Sequence, residues 1–201
     1  MFLDIKELSP VECYQALVAA VVPRPIAWVS TCSKAGVSNL APFSFFTVAS
    51  CQPPVLCVTH VLPRTLKLKD TLVNLNETGE CVVNVVDQQV VEQMSATSAT
   101  FAADVDEFEQ IGVERASSTM VAVDGVALSP VRFECKLREV ITISDQAMGG
   151  SMILLDILAI HVNDKCVANG AIDTTLVNAI GKLSGSLYSS SDTVFDINRP
   201  S

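Results

Sequence analysis

The sequence predicts a mainly β fold, a β-barrel with peripheral helices, on three observations. Several strand-like segments are joined by short turns rich in Gly, Pro and small polar residues. Helical patterns stand between them as inserts rather than regular crossovers, which argues against a doubly wound α/β sheet. Two longer strand patterns, 131–143 and 152–163, close the series. At 201 residues the chain can bury one sizeable core, and no repeat, low-complexity tract or linker divides it. Residues 1–201 therefore read as a single domain.

Each element has a local reason. Ser9-Pro10-Val11-Glu12 is a capping box with proline at the first helical position, so a helix runs from there to about Ala20, where Pro23 and Pro25 end it. The strand "IAWVSTC" (26–32) follows. A turn at Lys34-Ala35-Gly36 leads into "VSNLAPFSFF" (37–46), read as one strand with a proline inside it. Gln52-Pro53-Pro54 breaks the chain before "VLCVTH". In "TLKLKDTLVNLNETG", Leu68, Leu72 and Leu75 fall at helical spacing and Gly79 suits the C-terminal cap. That helix starts at Thr65 or nearer Asp70. "CVVNVV" (81–86) lacks alternation and reads as buried on both faces. A helix then starts near Asp87, residues 101–130 are loop-rich with a helical turn around 106–110, and "SGSLYSSSD" reads as a flexible terminus. In 131–138, Val131, Phe133, Cys135 and Leu137 alternate with Arg132, Glu134, Lys136 and Arg138, the pattern of a half-buried strand.

Composition excludes several functions. A net charge of −9 argues against nucleic acid, which requires dense Lys and Arg on one face. The longest aliphatic run, Ala16 to Val22, is too short to span a bilayer, and Asp4, Glu7 and Glu12 occupy the region a signal peptide keeps basic. Seven cysteines without a C-x-x-C pair read as reduced thiols in a cytoplasmic protein. Two histidines, His60 and His161, give no metal-ligand spacing. With 49% hydrophobic and only 17% charged residues, the chain has apolar surface to spare, as an obligate subunit interface requires. No dinucleotide fingerprint, P-loop or nucleophile elbow is present.

Two stretches remain. Arg64, Lys67 and Lys69 gather at a helix start, where free amides and the helix dipole favour an anion; a solvated basic turn is the other reading. In 39–47, Phe43, Phe45 and Phe46 can wall an aromatic ring while Asn39, Ser44 and Thr47 address its polar edge; a barrel core bulged at Pro42 is the alternative.

Taken together, "VVPRPIAWVST", "GVSNLAPFSFFTVAS", "KDTLVNLNETGECVVNVV", "MSATSATF…DEFE" and "VFDINRP" closely resemble the flavin reductase-like family, the FMN-binding split β-barrels that include flavoredoxin-type proteins. The resemblance runs from about residue 5 to the C-terminus. It implies a homodimer with FMN at each site. The flavin ring would lie along Asn39 to Phe45, with Ser44 and the backbone near Ala41 and Pro42 at its polar edge and Thr31 as a neighbour. The phosphate would fall near Thr59, Lys69 and Thr71, and Arg24 would be a further anion contact. No acid–base residue or metal is implied, because hydride from NADH or NADPH would pass to the flavin and on to a partner oxygenase or another acceptor. The implied activity is NAD(P)H:flavin reduction or flavoredoxin-like electron transfer; an FMN carrier or sensor without nicotinamide turnover is the alternative. Two departures change the mouth of the site: "HVLPRTLKL" with His60 and Arg64, and Leu187-Tyr188 where the family carries a tyrosine pair. His161 reads as structural, and His60 as a phosphate neighbour or a surface residue.

Overall fold

The structure is a computed structural model that describes residues 1–66, 68–198 and 200. Its opening helix, α1 (Pro10–Ala20), starts as the capping box requires: the Glu12 amide donates to Ser9 Oγ at 3.3 Å, and the Ser9 amide donates back to Glu12 Oε2 at 2.9 Å. Seven strands then build one antiparallel sheet. In chain order they are β1 (Ala27–Cys32), β2 (Ser38–Phe43), β3 (Phe46–Cys51), β4 (Pro54–Val61), β5 (Glu80–Val85), β6 (Val131–Thr142) and β7 (Gly150–Val162). Across the sheet they run β2-β1-β5-β6-β7-β4-β3.

The edge strands β2 and β3 are thus consecutive in sequence, joined only by Ser44 and Phe45. In a flat sheet, six strand gaps would hold these edges about 29 Å apart. Three residue steps cover about 10 Å at full extension. The sheet therefore curls until its two edges meet at Ser44–Phe45, where the Thr59 amide donates to the Phe45 carbonyl at 2.7 Å. This is a mainly β split barrel, as expected. The expected single strand 37–46 is corrected into β2 and β3, because the chain crosses from one edge to the other within it. Pro42 is no bulge; it pairs in register opposite Trp28.

The barrel interior holds Val29, Phe43, Leu56, Val58, Leu72 and Leu75, among others. A second core lies outside β1 and β2, where Trp28 and Leu40 meet Met94 and Phe108 from α3 (Val91–Ala96) and α4 (Glu107–Ile111). Strand β1 is consequently buried on both faces, as is β5 over Cys81–Asn84. Trp28, the chain's one tryptophan, donates its indole N–H to Thr97 Oγ1 at 2.8 Å and pins the loop that follows α3.

Other expectations shift. The helix expected from Asp87 begins only at Val91, because the Asp87 carboxylate first caps a turn, accepting from the Gln89 and Val90 amides. The serine-rich segment is not simply a loose end: Tyr188–Ser189 pairs with Gly181–Lys182, which pairs in turn with Arg24–Pro25. Glu134, expected on the solvent side of β6, is completely buried.

Candidate functional site

Helix α2 (Asp70–Thr78) organises the site, starting at the later of its two expected positions. Two polar ties fix it against the sheet: Asn74 Nδ2 donates to Thr31 Oγ1 at 3.1 Å, and Thr71 Oγ1 donates to Asn39 Oδ1 at 2.8 Å. Its N-cap residue, Lys69, supplies no side-chain acceptor, so the first-turn amides carry no cap. That end of the helix, with its positive dipole, is open to an anion.

Two hollows meet at Lys69. The first, about 220 Å³, is lined by Asn39, Ala41, Lys69, Thr71, Glu107 and the segment Thr97–Phe101. The second, about 160 Å³, is lined by Pro42, Phe43, Ser44, Phe45, Thr59 and Lys69, with His60, Val61 and Tyr14 completing it. Nine of the eleven expected site residues are thereby brought together around one lysine. Thr59 and Thr71, expected on the same ligand group, line different hollows. The Lys69 ammonium lies 5.0 Å from the Phe43 ring centroid. Much of its side chain meets solvent, but protein crowds it enough that lost hydration lowers its pKa from the ordinary lysine value. Tyr14 and Phe45 stack with ring centroids 6.4 Å apart.

The other two residues stand apart. Thr31 is fully buried beneath α2 and lines neither hollow. Arg24 is buried as well, its guanidinium donating to the carbonyls of Val18 and Val21 at the end of α1 and of Leu183 in the C-terminal ribbon. It closes a helix terminus and holds the ribbon down. Phe46 turns away from the hollows into an apolar groove, and Thr47 is exposed. Arg64 is an exposed loop residue, and Lys67 lies outside the described residues.

Glu107, not singled out in the sequence, is the buried carboxylate of the first hollow. It accepts from Asn39 Nδ2 at 2.8 Å and from the Leu40 amide at 3.0 Å. Burial raises its pKa above the ordinary value, those bonds oppose the rise, and the nearby Asp70 charge adds to it. Because the Asn39 side chain is engaged by Glu107 and Thr71, it fixes the wall rather than offering a free amide to a ligand. The only signal for Glu107 was its place in "DEFE"; its contact across 68 residues to Asn39 is tertiary. Among the described residues no cluster of three or more His, Cys, Asp or Glu can hold a metal.

Comparison with known proteins agrees with this architecture. Residues 19–183 match the family described as "Flavin reductase like domain". The chain is 36% identical to an uncharacterized protein of Halalkalibacterium halodurans, covering all of this chain and 97% of that one. It superposes on nitrilotriacetate monooxygenase component B from Bacillus cereus with a TM-score of 0.92 at 27% identity, covering 98% of each chain. The corresponding values for Pseudomonas fluorescens 2-nitrobenzoate 2-nitroreductase NbaA are 0.90 and 27%, covering all of this chain and 96% of that one. Sequence, fold and likeness together make this chain a member of the flavin reductase-like family of split-barrel, flavin-related oxidoreductases.

Proposed function

We propose that the protein is an FMN-dependent oxidoreductase, an NAD(P)H:flavin reductase or a flavoredoxin-like electron-transfer protein acting as a homodimer. The observation that carries this reading is the meeting of an aromatic-walled hollow and an uncapped helix N-terminus at one lysine. A ligand joining a planar ring to a terminal phosphate needs both halves. Pro42, Phe43 and the Tyr14–Phe45 stack offer apolar surface for the ring. Lys69 and the first amides of α2 offer charge and donors for the phosphate, with Thr71 at the wall of the first hollow. FMN, when bound, supplies the hydride and electron-transfer chemistry. The chain orients it and screens one side from water, which requires no acid–base side chain.

Homodimerisation is supported by an apolar groove of about 730 Å³ beside the site, whose lining includes Phe46, Leu56, Phe133, Ile157 and Ile160. Val48 and Ile160 are 61% and 51% exposed there in the single chain. Monomers rarely leave so continuous an apolar surface in water. Sedimentation equilibrium should give twice the chain mass of 21.4 kDa; a monomer at all concentrations would refute the dimer. A partner oxygenase as electron acceptor is a reading prompted by the monooxygenase component among the similar structures.

The test of function is a visible spectrum of the purified protein after FMN addition and desalting. The expected result is a retained flavin spectrum that bleaches with anaerobic NADH or NADPH. Retention without bleaching would leave an FMN carrier, and loss of all flavin together with a flat fluorescence titration would remove the FMN assignment.

A further inference from the structure

His60 lies near the end of β4, on the strand face that places Leu56 and Val58 in the barrel interior. It is 1% exposed, and both of its ring nitrogens lack a hydrogen-bond partner among the described residues. Natural proteins satisfy most buried polar atoms, because each orphan forfeits the water it left behind. Here two orphans sit on one ring. An interior packing role would be filled at less cost by leucine or phenylalanine, like the neighbours on that face. His60 is also one of the residues lining the second hollow, with the Lys69 charge close enough to act on its ring, though both ring nitrogens are closed off from solvent. Burial lowers its pKa and the Lys69 charge lowers it further. Both effects favour the neutral imidazole, which has one N–H donor and one bare nitrogen acceptor.

We infer that His60 is a cofactor-contacting residue that hydrogen-bonds the polar edge of the flavin ring in the second hollow. The inference rests on the FMN reading above and deepens it. A flavin's pyrimidine edge alternates imide N–H and carbonyl groups, and a neutral imidazole can accept from the first or donate to the second. Lys69, next to it, offers only donors and a full charge. The two residues thereby divide the work at the junction of the hollows, His60 addressing an uncharged edge and Lys69 an anion.

With two histidines in the chain, the imidazole nitrogens can be read directly. In long-range proton–nitrogen spectra of the ¹⁵N-labelled full-length protein, the signals lost in His60→Gln identify His60. Adding excess FMN should shift at least one His60 ring nitrogen into the hydrogen-bonded range while the His161 signals stay in place. In parallel, His60→Leu should weaken FMN binding at least tenfold without lowering the melting temperature, since it removes two unsatisfied buried atoms. His60→Gln or His60→Asn, whichever restores the bonded nitrogen, should recover most of that loss. If flavin fluorescence shows FMN bound while the His60 nitrogens do not move and His60→Leu binds as tightly as the parent, the inference is overturned and the FMN reading stands. If the parent protein binds no FMN, the reading fails and the inference with it.

Discussion

Replacing Glu134 by alanine is expected to cost about 3–5 kcal/mol of folding stability, the range for breaking a buried, fully bonded charge site. Its carboxylate accepts from the Thr119 amide at 2.8 Å, from the Thr119 hydroxyl at 3.1 Å and from the Met120 and Val121 amides, and it contacts His161 Nε2. The loop between Ala116 and Gly125 is held to the sheet through these contacts, with Glu80 adding one to the Ala122 amide at 2.8 Å. Alanine would strand three backbone donors. Glutamine would turn its own N–H₂ toward some of them, so Glu134→Gln should recover little. Urea denaturation of both variants checks this, and a loss below about 1 kcal/mol would mean the loop contributes little to the barrel.

The same residue fixes a pH dependence. Burial alone would raise the Glu134 pKa, but the Thr119 and Met120 amides, His161 and the Thr119 hydroxyl outweigh it and bring the pKa down to about 2. A depressed carboxylate stabilises the folded state above its unfolded value of about 4.5 and loses that contribution as pH falls towards 2. The contribution is at most about 3 kcal/mol. Stability of the parent should therefore fall between pH 5 and 2 more steeply than that of Glu134→Gln.

Lys69→Ala carries the second large effect, on ligand affinity rather than on folding. A charge-assisted hydrogen bond to phosphate is worth about 1.5–3 kcal/mol, so FMN should bind roughly 10- to 150-fold more weakly. Riboflavin, which lacks the phosphate, should bind parent and variant nearly alike. Stability should hold, because desolvation already disfavours the Lys69 charge in the folded protein. Fluorescence titration with both ligands decides it. Equal losses for FMN and riboflavin would place Lys69 on the ring, through its contact with Phe43, and unchanged FMN binding would remove it from the site.

What could be read from the sequence divides by range. The α1 capping box, the Gly36 turn and the Gly79 cap were legible because each is set by neighbours within a few residues, and both glycines take the positive φ that such turns need, 84° and 73°. The split barrel was legible through the order of strand and turn signals and through five motifs in sequence. Glu134 was misjudged because alternation reports which face a residue occupies, not what covers that face, and the covering loop arrives from residues 117–123. His60, which reads as a phosphate neighbour or a surface residue, lies in the interior because it shares the inward face of β4 with Leu56 and Val58, and the strand pattern alone does not tell which face the barrel encloses. Arg24 lies beside the end of α1, close in sequence, but its acceptor on Leu183 is 159 residues away. Lys69 could be singled out in an acidic chain, yet the hollows that give it meaning are built from α1, β2, β4, α2 and the loop after α3.

On the FMN reading, the two-residue crossing at Ser44–Phe45 would give the ligand a mechanical role. Both residues wall the second hollow, and both edges of the sheet end on them. A molecule held at that crossing would touch both edges of the sheet at once. Ligand at a hundred times its dissociation constant would add about 2.7 kcal/mol to folding stability by mass action alone. That gain would reach the edge strands β2 and β3 as well, wherever their opening also releases the ligand. Barrel and ligand would then be fastened by the same clasp.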